Sequence, residues 1–490
     1  MPPALPPTLV RDLDALSAQP ADLLVIGGGI YGLTIAADAA QRGLAVVLVE
    51  RGDFGSGTSF NHLRTIHGGL RYLQTLDIPR ARESVRERRT LARIAPWAVR
   101  PLPFVLPLYR SITKGPLAMR AGFLLDRLVA HDRNEGVPPS HRLPAGRVLS
   151  RAAAQQRYSE LRLLPLIAAA LWYDYVTVDA DRLTLSWALS AATAGARLAN
   201  YVEATALRVS NRRVTGAEFV DRLTGREHVV SAGAVINATG SRVDQLLAPH
   251  GASTRVPMLQ AVNLVTTRPG PAAAIGGRSA SGRNLFLVPW RGRALFGTWE
   301  SPTLCGPDDL HVPDTHVDAF LAELNEAFPG WDLSRADVAL VHRGVVPAKK
   351  RQDGSLALEG GELVFEHTPD GLDGLISVAG TKYTTARAVA ERIVDRVCAR
   401  LGRQLRCASM LTPLPQVALD GDALLRHAAR HEMVQTLGDA VKRRTPLGVL
   451  GRPDKAQLAH AAAVVGAELG WPVARQAAEV DALERDYLSA

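Results

Sequence analysis

Cysteine is scarce in this chain. Its three residues, Cys305, Cys398 and Cys407, are scattered, with no C-x-x-C pair and no metal-ligand spacing. That argues against a disulfide framework, fits a reducing cytoplasm and offers no candidate metal site. No run of about 18 apolar residues is present to span a bilayer. The opening MPPALPPTLVRDLDALSAQP lacks the basic start and apolar core of a signal peptide. Long basic runs are also missing, so no nucleic-acid arm is expected. What the chain does have is length and apolar content. Its 490 residues, 47% hydrophobic and 21% charged, suit a globular protein with a sizeable core. Two or three domains of roughly 100–200 residues fit that length. The net charge of +9 has two readings: a solvated arginine-rich surface, or a peripheral attraction to anionic membrane.

The chain is organised around ADLLVIGGGIYGLTIAADAAQRGLAVVLVE, residues 21–50. Leu23 to Ile26 form a short apolar run that reads as a buried parallel strand. Gly27, Gly29 and Gly32 give the spacing G-x-G-x-x-G, and helix-like sequence follows to Gln41. Gly43 breaks the helix, and Ala45 to Val49 form a second apolar run ending in Glu50. This order is that of a dinucleotide-binding βαβ unit. Gly27 permits the turn, Gly29 lets a pyrophosphate approach the backbone, and Gly32 lets helix and strand pack closely. The helix N-terminus supplies free N–H groups for phosphate. Glu50 stands where an acid accepts hydrogen bonds from ribose hydroxyls.

Beyond Glu50 the loop RGDFGSGTSFNHLRTIHGGLRYLQ is dense in Gly, Ser, Thr and His and is expected against a ligand. Charges at helical spacing over residues 77–96 predict an exposed helix. Residues 115–170 read as helices, and 171–183 as a strand entering a helix. A hairpin turning at Gly225 leads into AVINATG, residues 234–240, a small-residue strand end suited to backbone contact with a cofactor. Short apolar runs in 255–345 suit an antiparallel sheet over a pocket. At 374–397 a strand, a Gly turn and a helix recur, with Gly380 expected to open the helix. The domain plan is a lead over 1–20, an oxidoreductase region over 21–400, a linker over 401–415 and a helical domain over 416–490.

These stretches, taken together, resemble the FAD-dependent glycerol-3-phosphate dehydrogenases over roughly residues 20–475. The carriers are the 21–50 motif with its extension RGDFGSGTS, then IHGGLRYLQ, RERRTLARIAPWAVRPLPFVLPLY, SVAGTKYTTARAVAE and RHEMVQTLGDAVKRRTPLG. The resemblance implies an α/β fold. A Rossmann-like FAD-binding domain (segments about 21–110, 171–245 and 374–400) joins an antiparallel-sheet substrate domain and a C-terminal helical domain. It implies FAD, held without covalent attachment, and a cytoplasmic enzyme that contacts the inner face of the cell membrane peripherally. It also implies oxidation of sn-glycerol 3-phosphate with electrons passed to a quinone or other acceptor. A homodimer is compatible with this, and no nucleic acid is expected.

The implied cofactor contacts are Gly27, Gly29, Ile30, Tyr31, Gly32, Glu50, Arg51, Thr58, Ser59, His67, Gly68, Gly69, Ala204, Ala238, Thr239, Gly240, Gly380, Thr381, Lys382, Tyr383 and Thr384. The implied substrate-side set is His67, Arg71, Tyr72, Asn263, Arg343 and Lys382. Arg71 and Tyr72 match the phosphate end of the family's pocket. His67 either faces the flavin or holds its own loop. Lys382 either binds phosphate or balances charge on reduced flavin. The substrate half departs from the family pattern. Gln260, Ala261, Val262 and Asn263 stand where the family has Lys-Gly-Ser-His, which removes a histidine near the reacting carbon. Gly344, Val345, Val346 and Pro347 stand for Gly-Val-Arg-Pro, which removes a phosphate-binding arginine. Lys349, Lys350 and Arg351 are nearby substitutes. Two alternatives therefore stand beside the main reading: the same fold acting on another alcohol, polyol phosphate or amine, and a non-catalytic FAD-binding protein.

Overall fold

The computed structural model describes residues 8–111 and 115–488. The first seven residues of the proline-rich lead and the last two of the helical domain lie outside them. The leading βαβ unit forms as its glycines require. Ala21–Ile26 pairs in parallel with Val46–Val49 on one side and with Glu227–Asn237 on the other. The helix Ile30–Gln41 crosses between the first two strands. Val46–Val49 continues to Arg197–Ala199, and Glu227–Asn237 to Leu375–Gly380 and Glu362–Glu366. All four residues of Val46–Val49 are buried, as expected for a parallel sheet covered on both faces. A hairpin of Val202–Ser210 and Arg213–Asp221 pairs onto the outer half of Glu227–Asn237, and its connection to that strand turns at Gly225, φ +75°.

A second, mainly antiparallel sheet has ten strands. Its central run is Val338–Lys350, Met258–Pro269, Arg293–Leu304, Asn284–Trp290 and Ala274–Arg278. Val99–Leu108 and Ala168–Thr177 extend it. Residues on opposite pleats face different environments. Val262, Leu264, Phe296 and Trp299 pack beneath the helix Asp314–Ala327 with Val317, Phe320 and Leu324. Asn263, Ala261 and Leu259 pair with His342, Gly344 and Val346 across the strands. A Cβ on Gly344 would meet Thr58 of the first sheet's loop at 2.8 Å. That pleat therefore faces the βαβ unit.

Three sequence-based expectations change. The helix Ile78–Ile94 is capped by Asp77, which accepts from the Arg80 N–H at 3.2 Å, and carries Pro79 in its first turn. It is not an exposed helix, because Glu87, Arg88 and Arg89 are buried. Arg387 makes two 2.6 Å hydrogen bonds to Glu87, Arg88 pairs with Asp174, and Arg89 pairs with Asp132. The region 115–170 is only partly helical: after Pro116–Val129 it contains the strand Arg147–Ser150 and the short helix Arg151–Arg157. Gly380 ends a strand rather than opening a helix. The helix Ala386–Arg400 starts several residues later, from Thr385.

The C-terminal helices Gly421–His431, Lys455–Leu469 and Val473–Leu488 pack around their own apolar cluster, including Leu437, Val441, Leu458 and Val465. They dock on the first sheet's domain through buried ions. Arg182 makes paired bonds of 2.6 and 2.8 Å to Glu432. Arg443 and Arg444 converge on Asp53, with bonds of 2.5, 2.6 and 2.7 Å. Burial alone would raise the Asp53 carboxyl, but Arg444 and then Arg443 outweigh it and hold it below the ordinary carboxylate range. Removing one partner from such a set leaves charge buried and unpaired. Asp53→Ala should destabilise the protein by about 3–5 kcal/mol, read as a lower urea midpoint. The lowered pKa also fixes the pH dependence. Asp53's contribution is complete above its unfolded pKa of about 3.9 and is lost as pH falls through the depressed folded value. The variant's deficit should therefore shrink in that acid window.

Candidate active site: a groove between the two sheets

A groove of about 560 Å³ runs between the glycine turn and the second sheet. The three motif glycines have different roles there. Gly27 has φ +111°, and a Cβ would fall on the Ala238 carbonyl. A Cβ on Gly32 would fall on the Gly27 carbonyl oxygen. Both are required by the fold. Gly29 has an ordinary φ of −77°, and its Cβ would meet only Ser59 Oγ, at 3.3 Å. Its missing side chain keeps groove space open. Glu50 lines the same groove, accepting from Gly28 N and Gly52 N at 2.7 Å each. Burial raises its pKa against those two hydrogen bonds.

Sixteen of the expected cofactor contacts line the groove: Gly27, Gly29, Ile30, Tyr31, Glu50, Arg51, Thr58, Ser59, Ala204, Ala238, Thr239, Gly240, Gly380, Thr381, Lys382 and Tyr383. Ser59 Oγ accepts from Ile30 N at 2.9 Å, and Thr58 Oγ1 donates to the Val345 carbonyl at 3.0 Å. Gly32, His67, Gly68, Gly69 and Thr384 do not line it. His67 is engaged by its own surroundings, with Nδ1 3.2 Å from Asp174 Oδ2 and Nε2 2.9 Å from Thr65 Oγ1. Gly68 and Gly69 let the loop pack on the helix Ile78–Ile94: their Cβ atoms would strike Arg88 and Ser84.

On the substrate side, Lys382 sits at the groove with Nζ 4.4 Å from the Tyr72 ring centroid, and the Arg71 guanidinium lies 5.7 Å from the same ring. These three form one basic, aromatic-backed cluster. Arg343 is not part of it; its guanidinium faces Asp486 of the last helix at 4.0 Å. Asn263 is buried, accepting from Thr298 Oγ1 at 2.8 Å and donating to the Asn61 carbonyl at 3.4 Å. Val346 lies in an apolar cluster with Leu259, Ala261 and Ala348, so no cation replaces an arginine at that point.

Two histidines were missed. His62 lines the groove and stacks on Tyr383, with centroids 4.8 Å apart. His342 is fully buried opposite Asn263, and neither ring nitrogen has a protein partner among the described residues. Burial, Arg64 and His62 hold it well below 6.5. The Gly, Ser, Thr and His content of residues 51–74 was the available signal for His62. Nothing local marked His342, because its neighbours arrive through strand pairing.

The groove fits a dinucleotide. It joins a glycine turn, a ribose-side acid and a helix N-terminus, and the buried Arg51 Nη1 on its wall has no protein partner among the described residues. The geometry separates two variants. Gly29→Val should fold, keep its circular dichroism spectrum and lose bound flavin, because the new side chain occupies pyrophosphate space. Gly32→Val should fail to give folded protein at all. Full flavin content in purified Gly29→Val would remove Gly29 from the site.

Residues 22–396 match the family model described as FAD dependent oxidoreductase. The chain is 34% identical over 452 residues to the glycerol-3-phosphate dehydrogenase of Synechocystis sp., covering 86% of this chain and 80% of that protein. It is 35% identical over 403 residues to the mitochondrial glycerol-3-phosphate dehydrogenase of Rattus norvegicus. That match covers 76% of this chain but 52% of the rat protein, so the chain spans about half the length of this mitochondrial relative. Among solved structures, the glycerol-3-phosphate dehydrogenase from Bacillus halodurans complexed with FAD aligns with TM-score 0.74 over 98% of this chain and 96% of its own, at 23% identity. The L-proline dehydrogenase from P. horikoshii aligns with TM-score 0.57 over 79% of this chain and 95% of its own, at 17% identity. At those identities both speak for the fold. With the groove, the family model and the relatives in agreement, this chain belongs to the glycerol-3-phosphate dehydrogenase family of FAD-dependent oxidoreductases.

Proposed function

We propose that this enzyme oxidises sn-glycerol 3-phosphate to dihydroxyacetone phosphate and passes the electrons to a quinone. The observation that carries this reading is the Arg71–Tyr72–Lys382 cluster, because it sets Lys382 on the wall of the cofactor groove with Arg71 near the same aromatic ring. Arginine clamps phosphate with paired hydrogen bonds, and lysine adds a point charge. The relatives' names give the same substrate. Gly27, Gly29, Thr58, Ser59 and Glu50 hold FAD, which supplies hydride acceptance when bound.

Proton removal needs a neutral base near the reacting carbon. Asn263 is an amide and does not serve. We assign the role to His342, its cross-strand partner, which is fully buried behind the groove wall and which burial and positive neighbours keep neutral at pH 7. Its pleat also carries Gly344, which abuts Thr58 on the groove wall. His342→Phe should retain FAD and slow flavin reduction by roughly 100-fold or more, measured by stopped flow. Because the histidine pKa is depressed, reduction in the parent should stay level as pH falls to about 6.5 and decline only below it.

The missing arginine at Val346 predicts weak substrate affinity. A charge-assisted hydrogen bond contributes about 1.5–3 kcal/mol, so its loss should weaken binding by roughly tenfold or more. Flavin reduction should occur with glycerol 3-phosphate and fail with glycerol. Rapid bleaching by another sugar phosphate, with glycerol 3-phosphate inactive at saturation, would reject the substrate assignment.

For the quinone, we infer that the helix Pro116–Val129 meets the bilayer. Leu117, Leu124 and Leu128 lie on one face and are 77, 61 and 73% exposed, with Arg120 and Arg127 exposed alongside. Such a basic amphipathic helix suits the interface of an anionic membrane. No helix among the described residues is long and apolar enough to cross one. The protein should co-sediment with anionic vesicles at low salt. Replacing the three leucines with serine should abolish this while leaving flavin reduction in solution unchanged. Equal sedimentation of parent and variant would remove this helix from the contact.

A further inference from the structure

We propose that His62 donates a hydrogen bond from Nε2 to the flavin ring, at the end of the groove beside the substrate sheet. His62 belongs to the groove wall, and its ring is held in place. One face stacks on Tyr383 at an interplanar angle of 19°, and the Tyr383 hydroxyl is itself 2.8 Å from Thr184 Oγ1. Nδ1 lies 3.1 Å from the backbone nitrogen of Arg64. A backbone N–H only donates, so Nδ1 must present its lone pair. In a neutral imidazole the proton then sits on Nε2. The ring is neutral, because burial and then the Arg64 charge push it well below 6.5.

This assignment has two consequences. His62 is a donor and not a base, since Nε2 already carries its proton. That donor is also shielded from solvent and has no acceptor among the described residues. A buried donor without an acceptor is unfavourable, so the acceptor arrives with the ligand. The position identifies which part of FAD meets it. Glu50 marks the adenosine end, and Gly27 and Gly29 the pyrophosphate. The residue after His62, Leu63, reaches the substrate sheet: its Cδ1 is 2.9 Å from where a Cβ on Gly297 would lie, beside Asn263. The ring end of the cofactor therefore meets His62, and its edge offers carbonyl and ring-nitrogen acceptors.

Reduction adds electron density to the ring. A fixed donor stabilises the reduced form more than the oxidised form and raises the potential. The test compares the flavin midpoint potential and visible spectrum of the holoenzyme with His62→Phe and His62→Gln. The phenylalanine keeps the stacking and loses the donor. It should shift the spectrum and lower the two-electron potential by about 30 mV, equivalent to tenfold weaker relative stabilisation of reduced flavin. Glutamine retains an N–H donor and should recover most of that shift. An unchanged potential and spectrum in His62→Phe, or equal shifts in both variants, would overturn the proposal. A measurement without a variant guards against poor folding. In 15N-labelled parent protein, His62 should be the Nε2–H tautomer, and its Nε2 proton should move downfield when FAD is added to the apoprotein. A protonated Nδ1, or no response to FAD, would likewise overturn it.

Discussion

The cofactor loop is held by one buried carboxylate. Asp53 lies three residues after Glu50, in a stretch whose neighbours Glu50, Arg51, Gly52 and Gly55 line the groove, and has no exposed side-chain surface. An ionised carboxylate is strongly disfavoured there unless cations and donors surround it. Arg443, Arg444 and the Asn200 amide, 3.1 Å from Asp53 Oδ1, provide that surrounding. The two arginines come from the C-terminal domain, about 390 positions away in sequence. The loop therefore cannot take its cofactor-binding shape independently of the C-terminal helices. Glu50 lies in the same field, where Asp53 raises its pKa and Arg443 lowers it.

The sequence was most legible where one short segment contains both the constraint and its answer. Gly27 and Gly32 need to be glycine because of backbone a few residues away or on the adjoining strand, so a spacing pattern carries the information. It was least legible where the partner is remote. Glu87, Arg88 and Arg89 look like a solvated helix face, because the partners that bury them are remote in sequence. Their partners are Arg387, Asp174 and Asp132, 43 to 300 positions away. The same reason hid His342, whose neighbours Asn263, Arg64 and Phe60 come together only when strands pair. Arg343 shows the converse error. It lies within the strand that carries His342 and Gly344, but its guanidinium faces Asp486.

The altered substrate half becomes intelligible as a redistribution of polar groups. In the position matching the family's phosphate arginine, Val346 packs with Leu259, Ala261, Ala348, Leu356 and Leu358. An arginine there would have to displace apolar contacts and find an anion, so the site cannot be restored by rotating a nearby side chain. Lys349 and Lys350 do not close the gap on their own strand: they pair with Ala357 and Leu356 at the sheet edge, and both side chains are exposed. Of the cations that line the groove, Lys382 is the one backed by Tyr72, with Arg71 near the same ring. Stacking on an aromatic face lowers the cost of holding a cation out of water, which supports Lys382 on the groove wall.

Proton handling follows the same logic. The Asn263 amide is fully engaged by Thr298 and Asn61 and acts as a strut between the substrate sheet and the 58–64 loop. That strut ties the loop carrying His62 and Arg64 to the strand that pairs with His342. Arg64 is buried against Phe60 and Trp290 and pairs with Asp181 through one nitrogen at 3.3 Å, while its charge still acts on both His62 and His342. A field of that sign disfavours protonation of both imidazoles. It also favours the negative charge that develops on a substrate alkoxide and on reduced flavin. With His342 as the proposed base, one buried arginine serves both ends of the reaction: it disfavours protonation of that base and lowers the energy of the anions that proton removal and reduction create.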